Sequence, residues 1–65
     1  MSLAQALKNG NAIEVELDTY LLDDNRSVKY DRYRKGACKW VCDDGYAYRN
    51  FCEAYHQSTL FAKQL

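Results

Sequence analysis

The 65-residue chain has a mass of 7.6 kDa, and its nine Lys and Arg balance nine Asp and Glu to a formal net charge of zero. A chain of this length makes one domain, residues 1–65, and buries only roughly 60% of the surface its unfolded form exposes, which disfavours a large enclosed active-site cleft. Neutrality removes the simplest argument for a protein that coats nucleic acid or an anionic membrane, while nine aromatic residues beside only thirteen Leu, Ile, Val and Phe favour a folded, aromatic-rich domain over disorder.

Ser2 and Gln5 have capping-box spacing, Leu3 to Lys8 holds strong helix formers without a β-branched residue, and Gly10 stands at a C-terminal stop. A short helix is expected over 3–9; its rival is a hairpin turning at Asn9-Gly10. From 13 to 21, Ile13, Val15, Leu17 and Leu21 alternate with Glu14, Glu16 and Asp18, the period of a half-buried strand with its aliphatic side inward. Asp23-Asp24-Asn25 reads as a turn, followed by a second strand over 27–34 with Val28 and Tyr30 on one side. Gly36 breaks that run. A third strand is expected over 37–42, with Cys38, Trp40 and Cys42 on one face, then a hairpin at Asp43-Asp44-Gly45 and a fourth strand over 46–49. Asn50 with Glu53 three positions later signals a cap, and Phe51, Ala54, Tyr55, Ser58, Ala62 and Leu65 recur at helical spacing, so a C-terminal helix is expected over 51–64. The expected fold class is α+β, a small antiparallel sheet of three to four strands with one helix at each end of the chain.

No apolar run approaches the ~18 residues of a membrane span and residues 1–8 lack a signal-peptide core, so a cytoplasmic protein with no membrane contact is expected. Three cysteines cannot all pair within one chain, which favours reduced thiols. Cys38, Cys42, Cys52 and His56 have the ligand types of a zinc site, but on one strand Cys38 and Cys42 would stand about 13 Å apart. No metal or other cofactor is therefore expected, and the thiols are taken as small apolar side chains. Cys52 with His56 as base lacks an orienting third residue and a water-excluding pocket, so no enzyme activity is expected.

Charge is segregated along the chain: residues 11–24 carry a net −5 and residues 26–39 a net +5. Cross-strand pairing of an acidic first strand with a basic second one explains this without a ligand. The functional alternative is that Lys29, Arg32, Arg34, Lys35 and Lys39, interleaved with Tyr30, Tyr33 and Trp40, bind phosphates and bases, making the segment 26–40 a nucleic-acid-binding module. Six tyrosines and a tryptophan exceed what so small a core can hide, and Tyr, Trp and Arg dominate interface hot spots. Tyr30, Arg32, Tyr33, Arg34, Lys35, Tyr46, Tyr48 and Arg49 are the candidate partner-binding residues, with Trp40 as a core anchor.

Leu7-Lys8-Asn9-Gly10 before Ile13-Glu14-Val15-Glu16-Leu17, a helix followed by short strands, loosely resembles the Sm-like small barrels over about half the chain. It carries no specific RNA-pocket motif and ends in a helix where that pattern closes on a fifth strand, so no family is assigned. The resemblance implies an RNA- or transcription-factor-binding adaptor. The leading expectation is a small regulatory protein of prokaryotic or phage type, an inhibitor or adaptor that binds a larger protein through an aromatic and charged sheet surface. Size also favours a homodimer, with the stripe of the last helix, Phe61 beside it, or an unpaired sheet edge as the seam.

Overall fold

A computed structural model describes residues 1–22 and 26–63. Helix α1 (Leu3–Asn9) is capped as its residues dictate: Ser2 Oγ accepts the Gln5 N–H at 3.2 Å, and Gly10, at φ 80°, donates to the Ala6 and Leu7 carbonyls. Asn9-Gly10 thus ends a helix and does not turn a hairpin.

The strand expected over 13–21 is two strands, β1 (Ala12–Glu16) and β2 (Thr19–Leu22), joined by a tight turn at Leu17 and Asp18. Asp18 adopts a left-handed backbone, φ 59°, which Asp tolerates better than most non-glycine residues. Its N–H donates to Glu14 Oε2 at 3.3 Å, and its carbonyl accepts the Tyr30 N–H at 2.8 Å. Ala12, Ile13 and Glu14 pair with Leu22, Leu21 and Tyr20; the register then shifts, leaving Val15 as the extra residue of a bulge before Glu16 pairs with Thr19.

The inward side is also the reverse of the expected one. Ala12, Tyr20 and Leu22 are buried, whereas Ile13, Val15 and Leu17 are 59%, 54% and 78% exposed. Alternation defines two faces without saying which is covered. Here the choice falls to the aromatic ring of Tyr20, which meets Trp40 and Phe51, and to the small Ala12, which with Ala6 lets α1 lie close to β1.

The remaining strands are shorter than expected. β3 is Ser27–Tyr30, β4 is Trp40–Cys42 and β5 is Ala47–Tyr48, giving five strands where three to four were expected. Residues 31–39 form a loop because their polar groups bond locally. The Tyr33 N–H donates to Asp31 Oδ1 at 3.2 Å, the Arg34 N–H donates to the Asp31 carbonyl, and the Lys39 ammonium donates to the Arg32 and Arg34 carbonyls. Cys38 therefore lies outside the strand, and only Trp40 and Cys42 share the expected face. Helix α2 (Phe51–Lys63) starts at Asn50, whose Oδ1 accepts the Glu53 N–H at 2.8 Å. The turn expected at 23–25, and the last residues of the expected helix and its stripe, lie outside the described residues.

Strand order follows chain order, β1-β2-β3-β4-β5, with every neighbouring pair antiparallel. The sheet is an open α+β meander with β1 and β5 as edges, not the closed barrel that the resemblance implies. Both helices cover the same face, where Ala6, Phe51 and Ala54 join Ala12, Tyr20, Leu22, Val28 and Cys42 in one core. Trp40 serves as the expected anchor: its ring lies 5.0 Å from Tyr30, 6.1 Å from Tyr20 and 5.7 Å from Phe51. Among the described residues no helix is long and apolar enough to cross a membrane.

Candidate interaction surface

Among the described residues no helix lies on the other side of the sheet. Pairing places Ile13, Leu21 and Ser27 in one row across it, and Glu16, Thr19, Lys29, Val41 and Ala47 in a second. At one end the Leu17 tip meets the start of the 31–39 loop, and Leu17, Lys29, Tyr30, Arg32 and Tyr33 line a shallow groove of about 200 Å³. Tyr33 is 88% exposed there.

The candidate residues divide. Tyr30 is half-buried against Trp40 on the helix-covered side. Arg32 is engaged with Asp18 at 2.7 Å, a hydrogen-bonded carboxylate that raises the guanidinium pKa further. Tyr33, Arg34 and Lys35 are exposed, and among the described residues neither Arg34 nor Lys35 forms an ion pair. Tyr46 lies in the β4–β5 turn, at the opposite end of β4 from Tyr33, beside exposed Leu60 and Phe61. Tyr48 is half-buried and donates to Asp44 Oδ2 at 3.1 Å; burial, then that hydrogen bond, pushes its phenol up to about 12. Arg49 reaches Glu53 at 3.8 Å on the surface.

No family model, curated protein or solved structure matches this chain. The opposite charge runs meet at Asp18–Arg32, because the acidic segment folds back on itself as β1 and β2, so that the basic β3 pairs with β2 and not with β1. Ile13, Val15 and Leu17 belong to this surface although alternation assigns them to the core. Tyr20 and Leu22, which fall out of phase with them, are the buried residues of the pair of strands together with Ala12.

The cysteines stand in three environments. Cys42 is buried, its thiol donates to the Ala54 carbonyl at 3.6 Å, and burial, then Asp44 and Asp43, push it up to about 12. Cys38 is half-buried and Cys52 exposed, so only one of the three is the buried apolar thiol expected. Cys52 and His56 line an open groove of about 560 Å³ with Leu3 and Phe51, and among the described residues no hydrogen bond joins the pair. Among those residues no three His, Cys, Asp or Glu side chains gather as metal ligands. Iodoacetamide at pH 8 is expected to label Cys52 readily and Cys42 only through unfolding. Mass-spectrometric mapping checks this, and equal labelling of the two would contradict the packing of Cys42.

Proposed function

We propose that the chain is a small non-enzymatic regulatory protein, an inhibitor or adaptor, that docks on a larger protein. The observation that supports it is the exposure of Ile13, Val15, Leu17 and Tyr33 in a chain whose core closes without them. Contiguous exposed apolar surface rimmed by polar groups is characteristic of interaction sites. Arg34 and Lys35 supply that rim and favour encounter with an acidic partner. The test is affinity capture with crosslinking, comparing wild type with Leu17→Ser, Tyr33→Ala and Arg34→Ala, and with Tyr46→Ala as the control at the far end. One protein enriched by wild type and lost with the first three variants is expected. Equal recovery with every variant would count against the reading.

Nucleic-acid binding by the segment 26–40 is the second reading, favoured by exposed Tyr33 beside Arg34 and Lys35. Arg26, Arg32 and Lys39 are already engaged, by Thr59, Asp18 and the loop carbonyls, which leaves Lys29, Arg34 and Lys35 as phosphate contacts. Three such contacts to a single strand predict a log–log salt slope of about −2. Absence of any shift of labelled DNA and RNA at low salt would eliminate it.

A further inference from the structure

Lys29 lies on the central strand β3 and points to the helix-free side, since its neighbour Val28 is buried in the core. Thr19 and Val41 flank it across the sheet, with aliphatic Ile13 and Leu21 toward β1 and Val41 and Ala47 toward β5. Among the described residues it forms no ion pair; Glu16, in the same row, sits two strands away, about 10 Å. The covered side shows that such a sheet accepts helices: α1 packs on β1 through Ala6, and the 13-residue α2 on β4 and β5 through Phe51 and Ala54. Five strands spaced about 4.8 Å span roughly 19 Å, the length of a helix of about 13 residues at 1.5 Å per residue.

We propose that the helix-free face of the sheet seats an amphipathic helix of the partner protein, apolar along the contacting stripe and carrying one carboxylate against Lys29. This rests on the protein-docking reading and adds the occupant. Two other occupants fit less well. A second copy packed face to face about a central two-fold axis brings Lys29 against Lys29. A second copy added at the β1 edge must oppose even-numbered residues with even-numbered ones in any symmetric antiparallel register, which sets Glu14 and Glu16 near their own copies. The Val15 bulge further spoils that edge for strand addition.

The probe is a fluorescein-labelled 16-residue Ala/Leu-based helical peptide with one Glu in its apolar stripe, compared with the same peptide carrying Lys there. Fluorescence polarisation is expected to give about tenfold tighter binding of the Glu peptide. Lys29→Glu should reverse that preference, and Ile13→Ser should weaken both peptides. Circular dichroism verifies that these exposed positions leave the fold intact. Equal affinity for the two peptides, or a preference unchanged by Lys29→Glu, overturns the proposal. So does sedimentation that finds a dimer abolished by Ile13→Ser, which assigns the face to a second copy. If a captured partner is lost with Leu17→Ser and Tyr33→Ala but kept with Lys29→Glu and Ile13→Ser, the docking reading stands and this occupant is rejected.

Discussion

Phe51→Ala is expected to lower the unfolding free energy by about 3–5 kcal/mol, a third or more of the total, while Ile13→Ser and Leu17→Ser each change stability by no more than about 0.5 kcal/mol. Phe51 is 4% exposed and its ring lies within 6.5 Å of three others, those of Tyr20, Trp40 and Tyr55. Truncating a buried Phe costs about 3–5 kcal/mol, and a domain of this length has roughly 3–10 kcal/mol in total. Urea unfolding followed by far-UV circular dichroism measures all three variants. A loss below about 1 kcal/mol for Phe51→Ala would mean that the sheet and α2 are held together by something other than this ring cluster.

Alkali should destabilise the fold through groups with no catalytic part to play. Cys42 ionises near 9.0 when unfolded and near 12 when folded, because burial disfavours its thiolate. Between those values the unfolded chain binds fewer protons than the folded one, so stability falls as pH rises. The contribution is fully present below pH 9, and the slope from this one thiol reaches at most about 1.4 kcal/mol per pH unit. Tyr48, raised from 10.0 to about 12, acts in the same direction, as does Tyr20, raised first by burial and then by Glu14 and Asp18. Urea midpoints at pH 7, 9, 10 and 11 should therefore decline from pH 9, and Cys42→Ala should delay the decline to about pH 10. A midpoint that stays constant to pH 11 would place the Cys42 thiol in water.

Element ends set by capping and turn chemistry within a few residues were legible in the sequence. Ser2 and Gly10 bracket α1, Asn50 opens α2, and Asp43-Asp44-Gly45 turns β4 into β5. The Leu17-Asp18 turn was not legible, because neither residue has the backbone freedom of glycine and the left-handed Asp18 is held by partners far along the chain, Tyr30 and Arg32. The covered side of the sheet was hidden for a related reason. It is selected by Tyr20, Trp40 and Phe51 meeting across the fold, and no local period reports that meeting. The candidate surface was correspondingly half legible. Exposed Tyr33, Arg34 and Lys35 followed from excess aromatics and charge, whereas Tyr30 and Tyr48 were drawn inward by sharing the side that Trp40 occupies.

The meander has a kinetic consequence. Each strand pairs with its immediate predecessor, so the sheet grows by closing one short loop at a time and never waits for distant ends of the chain to meet. The longest of the three hairpin connections described, residues 31–39, is clasped by its own Lys39, and the chain contains no proline whose isomerisation would delay any step. A newly made chain therefore passes quickly through the partly assembled forms in which its aliphatic strands lie open to their neighbours, which limits the time available for aggregation.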